Sequence, residues 1–139
     1  MSIIGLCFTQ KNLHFKKGEF VFKEHDVGDE LYFIHSGRIK IAKLVGDTEA
    51  VLSILNEGDF FGEMSLITGS KRIASAIAQT NCKLHTMDRK TFEHNLSNNK
   101  NFMKKILESL AFRLEETDKN IKHYIQRIFR LYESFHITG

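Results

Sequence analysis

Short apolar runs punctuated by glycine set the rhythm of the first two thirds of the chain. Residues 19–23 (EFVFK), 30–34 (ELYFI), 38–44 (RIKIAKL) and 50–55 (AVLSIL) are rich in β-branched and aromatic side chains, and each reads as a strand. Gly18, Gly28, Gly37, Gly46 and Gly58 fall between or beside them, about nine to twelve residues apart, a spacing that suits a sandwich or small barrel of hairpins. His35-Ser36-Gly37 and Val45-Gly46-Asp47 read as turns, and further strands are predicted at 74–78 and 82–87. Residues 1–14 carry little pattern; a short helix over 4–10 is the expectation there.

Beyond residue 88 the period changes. Asp88 is placed to cap a helix over 89–96, and Asn98 or Asn99 to cap a second one that begins near Lys100. The chain has no proline, so nothing forces a break before about His136. Met103, Leu107, Leu110, Leu114, Thr117, Ile121, Tyr124, Ile128, Leu131 and Phe135 follow alternating steps of four and three, a heptad seam whose one clearly polar member is Thr117. Its partly β-branched a layer over a leucine-containing d layer favours a parallel homodimer. Ile106, Ile125, Phe129 and Tyr132 lie off the seam and suit a second role, packing this helix on its own β body.

Composition narrows the class. At 139 residues and 42% apolar, with twelve phenylalanines, the chain suits one packed domain. The predicted division is a β body with short flanking helices over 1–99 and the long helix over 100–139, all within one domain. The net charge of +3 sits in the C-terminal segment, where acidic residues dilute the basic ones, as on a solvated helix face; direct nucleic-acid binding by this chain is not expected. Cys7 and Cys82 are too few for a disulfide framework or a thiolate metal site, and the seven histidines show no pair at ligand spacing. No run resembles a signal peptide or a membrane span, so the expectation is a soluble, cytoplasmic protein without a metal.

Candidate chemistry concentrates between Phe61 and Ala78. Gly62 precedes a predicted helical turn containing Glu63, Met64 and Ser65, and glycine there lets backbone amides approach an anion. Arg72 follows nine residues after Glu63, and its planar fork of donors suits phosphate oxygens. Cation and carboxylate together fit a ligand with both phosphate and hydroxyl groups, such as a ribose phosphate. On spacing alone a structural Glu63–Arg72 salt bridge is the stronger reading, and both remain open at this point.

Residues 61–66 (FGEMSL) followed by 71–76 (KRIASA) resemble the phosphate-binding cassette of the cyclic nucleotide-binding domain family, and Phe20–Phe22, Asp26–Gly28, 30–34, Ser36-Gly37 and 58–63 resemble its strand and turn signatures in order. The resemblance covers nearly the whole chain. It implies a mainly β fold with helices: a double-stranded β-helix, or jelly-roll-like β-roll, carrying a cassette helix, a hinge helix and a long C-terminal dimerisation helix. By the same resemblance Glu63 binds the ribose 2'-hydroxyl, and Arg72 binds the cyclic phosphate with backbone amides near Gly62, Met64 and Ile73; Phe61, Ser65 and Ala74 belong to the same ligand-binding cassette. Ile41 and Leu52 fall where members line the base pocket. Thr117 matches a helix position that contacts the adenine amino group in bacterial members of the catabolite activator type, and Asp118 stands where the partner subunit approaches. Thr117 reads equally well as a polar residue that sets the register of the seam.

Two departures bear on the ligand. Lys71 stands where many members have proline, which loosens the turn or adds positive charge without removing the anion site. Ile73 offers no hydroxyl where guanine-selective members often have one, which favours cyclic AMP over cyclic GMP. The implied function is a cyclic-nucleotide sensor that switches by re-packing its C-terminal helices, as part of or related to a Crp/Fnr-type transcription regulator. The helix-turn-helix of such regulators is not expected within these residues, and both a stand-alone sensor and a piece of a longer regulator fit. The alternatives are a simple dimerisation module and the regulatory domain of a channel or kinase. A cupin-type metalloenzyme is disfavoured for want of clustered ligands, and no other enzymatic motif is present.

Overall fold

The computed structural model describes residues 6–111 and 126–131. Among the described residues eight strands precede residue 89: β1 (Thr9–Phe15), β2 (Phe20–Phe22), β3 (Glu30–Ser36), β4 (Ile39–Val45), β5 (Thr48–Leu55), β6 (Phe60–Phe61), β7 (Ser75–Ala78) and β8 (Cys82–Asp88). Two short helices join them, α1 (Glu63–Thr68) between β6 and β7, and α2 (Arg89–Asn98) after β8. Pairing runs first to last: β1 with β8, β2 with β7, β3 with β6 and β4 with β5, all antiparallel. Added pairings of β3 with β8 and β4 with β7 roll this long double hairpin into two four-stranded sheets, β1-β8-β3-β6 and β2-β7-β4-β5. That is a jelly-roll arrangement, mainly β with antiparallel sheets as the glycine spacing predicts.

Burial follows the alternation of each strand. Tyr32 and Ile34 of β3, Ile39 of β4, Phe61 of β6, Ala76 and Ala78 of β7, and Cys82 and Leu84 of β8 form one buried cluster. Half-buried Leu13, Phe15, Val21, Phe22, Ile41 and Leu55 close over it. The small Ala76 and Ala78 of β7 leave room in this cluster for the larger Tyr32 and Phe61.

The expected helix over 4–10 is corrected, so far as it falls on described residues. Residues 6–8 have no regular structure, and Thr9 begins β1. β1 is an edge strand, paired only with β8, so two inward apolar residues, Leu13 and Phe15, suffice and leave little periodicity to read. Cys7 just before it is fixed by the buried Asn95 of α2: Asn95 Oδ1 accepts from the Cys7 amide at 2.9 Å, and Asn95 Nδ2 donates to its carbonyl at 2.7 Å. The other expected strands appear with ends moved by one to a few residues. The turn expected at His35-Ser36-Gly37 shifts, because β3 continues through Ser36.

The described residues before 100 form one compact unit, and those from 100 onward belong to a second, which is helical over 100–111 and 126–131. No helix among the described residues is long and apolar enough to cross a membrane.

Asp88 caps α2 as its sequence position predicts, its carboxylate accepting the Thr91 amide at 2.8 Å. Hydrogen bonds from Thr91 hold the Asp88 carboxyl below its ordinary pKa. A depressed folded pKa means that this stabilisation is complete above the ordinary carboxylate range, near pH 4, and is lost as pH falls through the folded value. Asp88→Ala is expected to cost about 1 kcal/mol at pH 7 in urea denaturation, with the gap to wild type narrowing in strong acid. A gap that is constant with pH would mean that the carboxylate does not act as the cap.

Candidate functional site

Gly62 connects β6 to α1 in the left-handed region, with φ of 86°. Glycine is required twice over: a side chain would be strained at that φ, and a Cβ there would lie 2.9 Å from Arg72 Nη1 and 3.2 Å from the Glu30 carbonyl oxygen. No side chain caps the first amides of α1. Its other end is tied down, with Thr68 Oγ1 donating to the Met64 carbonyl and the Gly69 amide to that of Ser65. Arg89 Nη1, at the start of α2, donates to the Leu66 carbonyl at 2.6 Å and so links the two helices.

Arg72 is the centre of the site. Its backbone is gripped by the β2–β3 loop, the His25 amide donating to the Arg72 carbonyl and the Arg72 amide to the Asp26 carbonyl, both at 2.8 Å. Its guanidinium folds inward: Nη1 donates to the Gly62 carbonyl at 2.8 Å and Nη2 to the Glu30 carbonyl at 2.6 Å. Cζ lies 4.1 Å from the centroid of the Phe22 ring and 5.9 Å from that of Tyr32. Gly28 packs close against the same group, and a Cβ there would meet Arg72 Nε at 2.5 Å, Cζ at 2.6 Å and Ser65 Cβ at 2.7 Å.

The electrostatics of this arrangement are unusual. Arg72 is 4% exposed, and no ion pair joins it to a carboxylate among the described residues. Glu63, itself 2% exposed on the first turn of α1, does not form with it the salt bridge that spacing favours. Nε is buried without a hydrogen-bond partner. Burial lowers the Arg72 pKa, opposed mainly by the neighbouring Tyr32 and Asp29. The Tyr32 hydroxyl is raised, chiefly by burial and then by Glu30. An anion among these donors would satisfy a buried N–H and offset a buried charge at once.

Of the residues predicted from sequence, Phe61, Glu63, Ser65, Arg72 and Ala74 are buried, and Gly62 and Met64 are half-buried. Gly62, Ser65 and Arg72 meet around Gly28 and the Glu30 carbonyl. Ile73 is 59% exposed, beside the buried Arg72. Ile41 and Leu52 lie on the paired strands β4 and β5; Ile41 is half-buried and Leu52 is 56% exposed. In the second unit Met103, Leu107, Ile128 and Leu131 are exposed and Leu110 is partly buried, whereas Phe102 and Ile106, off the seam, are buried. Leu114, Thr117, Asp118, Ile121, Tyr124 and Phe135 lie outside the described residues. Among the described residues no group of three or more His, Cys, Asp or Glu could hold a metal.

Sequence reasoning missed the aromatic seat of Phe22 and Tyr32, the grip of His25 and Asp26 on the Arg72 backbone, and the carbonyl of Glu30. These residues precede Arg72 by about forty to fifty positions and reach it only through sheet pairing. The one available signal was the glycine at 28 inside the loop.

Comparison with known proteins follows the same lines. Residues 12–99 match the family described as the cyclic nucleotide-binding domain. The chain is 34% identical over 125 residues to a CRP-like cAMP-activated global transcriptional regulator of Mycobacterium tuberculosis, a match that covers 89% of this chain and 56% of that protein. It is also 34% identical over 84 residues to a cAMP-dependent protein kinase regulatory subunit of Schizosaccharomyces pombe, covering 60% of this chain and 20% of that one. Among solved structures, the catabolite activator protein of Thermus thermophilus superposes with a TM-score of 0.74 at 28% identity, over 81% of this chain and 53% of that chain. The chain thus spans about half the length of the curated regulator it matches.

Gly28 gives a steric test of the site. Gly28→Ala is expected to displace the Arg72 guanidinium and destabilise the fold by about 1–3 kcal/mol. Part of that loss should be relieved in an Arg72→Ala background, as a double-mutant cycle in chemical denaturation would measure. Strict additivity would contradict the contact.

Proposed function

The chain belongs to the cyclic nucleotide-binding domain family, and from that premise we propose that it is a sensor for a cyclic nucleotide, cyclic AMP in preference to cyclic GMP. The observation that carries this reading is Arg72: a guanidinium withdrawn from water, with no carboxylate paired to it among the described residues, an Nε–H without a hydrogen-bond partner, and two of its five donors engaged by carbonyls. The cyclic phosphate takes the remaining donors together with the uncapped amides at the start of α1, and Glu63 accepts from the ribose 2'-hydroxyl. Ile41, Leu52 and Ile73 line the base side, and the absence of a hydroxyl at Ile73 favours adenine. Thr117, outside the described residues, is proposed by the family resemblance as a contact to the base, with a role in setting the register of the seam as the equal alternative.

In this reading α1 is the cassette helix and α2 the hinge, and residues from 100 onward form a dimerisation helix, with Asp118 near the partner subunit. The exposed Met103, Leu107, Ile128 and Leu131 supply apolar positions for a second copy. Switching is a shift in population: phosphate draws in α1, and the Arg89 bond to the Leu66 carbonyl carries the displacement to α2. Coverage of 89% of the chain by a transcription regulator, against 60% by a kinase subunit, favours the regulator setting, in a cytoplasm. The role is regulatory and non-enzymatic, and DNA is read by other parts of such a regulator.

Calorimetric titration with cyclic AMP tests the binding step. Arg72→Leu is expected to weaken binding by about a hundredfold or more while a cooperative thermal transition survives, as befits the loss of a charge-assisted fork. Unchanged affinity in that variant would overturn the assignment. Hydrogen exchange tests the switch: cyclic AMP should alter protection across residues 89–111 in wild type, and Arg89→Ala should blunt that change while the nucleotide still binds. No change in that segment in wild type would refute the switching step alone.

A further inference from the structure

The donors of Arg72 carry the proposed phosphate capture, and the rings beside it, which also belong to the core, come within reach of the same guanidinium. Phe22 of β2, Tyr32 of β3 and Phe61 of β6 form one aromatic floor, with centroid separations of 5.9 Å for Phe22–Tyr32, 6.0 Å for Phe22–Phe61 and 5.1 Å for Tyr32–Phe61. β2 belongs to one sheet, and β3 and β6 belong to the other. Arg72 Cζ sits 4.1 Å from the Phe22 centroid, much nearer than the 5.9 Å to Tyr32.

A guanidinium at that distance from a ring is held by the quadrupole and by dispersion, and the attraction is strongest when both partners are shielded from water. The bonds to the Gly62 and Glu30 carbonyls fix two points of the guanidinium plane. Two points leave a rotation about the line that joins them, and a third contact is needed to stop it. Gly28 leaves no room for even a Cβ against the guanidinium. The Phe22 ring, 4.1 Å from Cζ, supplies the third contact.

We infer that Phe22 is a positioning residue for the anion site: its ring fixes the tilt of the Arg72 plane and so aims the unbonded Nε–H at the ligand's phosphate. This rests on the assignment of Arg72 to the phosphate. The competing role for Phe22 is plain core filling, and volume-matched variants separate the two because they differ in whether a ring is present.

The experiment is titration of the whole chain with cyclic AMP, with a thermal melt of each variant. Phe22→Met keeps the apolar volume without the ring and is expected to bind about tenfold more weakly; Phe22→Tyr keeps the ring and should stay within about twofold of wild type. Should Phe22→Met fail to fold, Phe22→Leu takes its place. In an Arg72→Lys background, where there is no plane to tilt, removing the ring should weaken binding by less than about twofold. Equal affinities for the Met and Tyr variants, both cooperatively folded, would overturn the role of Phe22 and leave the binding assignment standing. A wild-type chain that binds no cyclic AMP would overturn both.

Discussion

A guanidinium with almost no contact with water, and with no ion pair to a carboxylate among the described residues, is the constraint on which the rest of this structure depends. Arg72 is held by backbone carbonyls, a ring and two close glycine contacts rather than by a neutralising ion pair. Such a group costs free energy in isolation, and the fold tolerates it because every fixed element around it contributes a contact. β2 supplies the ring, the β2–β3 loop grips the backbone, β3 offers the Glu30 carbonyl, and the β6–α1 junction offers that of Gly62. Neutralising it from within would have been simple, since Glu63 is buried on the adjoining turn, yet the two side chains do not pair.

The roll explains how residues so far apart in sequence converge. Because first strands pair with last, β2 meets β7 and β3 meets β8, and the segment between β6 and β7 is wrapped inside that pairing. The arginine enters at the edge of β7 and is met by strands laid down some forty to fifty residues earlier. At one end Arg89 fastens α1 to α2, so the helical elements adjoining the site are joined by a direct bond and not only by the shared sheet.

Much of this was legible in the sequence, for identifiable reasons. Strands β3 and β7, interior to their sheets, carry continuous buried runs, and β4 and β8 intersperse buried with half-buried positions, while β2 and β5 at the sheet edges still read as strands from their aromatic and β-branched residues. Edge strand β1 did not, because its polar alternation needs only Leu13 and Phe15 inside. Gly62, Glu63 and Arg72 were visible because the cassette is continuous in sequence. The seat of Phe22 and Tyr32 was not, because nothing in a local pattern distinguishes a ring that fills a core from a ring that carries a cation. The Glu63–Arg72 salt bridge was the natural reading of the spacing, and it failed because the Arg72 side chain turns toward the carbonyls of β3 and Gly62 instead.

The most direct measurement of the central claim is nitrogen-proton correlation of the arginine Nε–H groups, with the Arg72 signal assigned by substitution, before and after saturation with cyclic AMP. The account predicts that this resonance alone among the arginines moves strongly downfield as the phosphate accepts its proton, and that adenosine at the same concentration leaves it in place. Bound cyclic AMP with an unmoved Arg72 Nε–H signal would contradict the account, because the buried donor would then serve the fold and not the ligand.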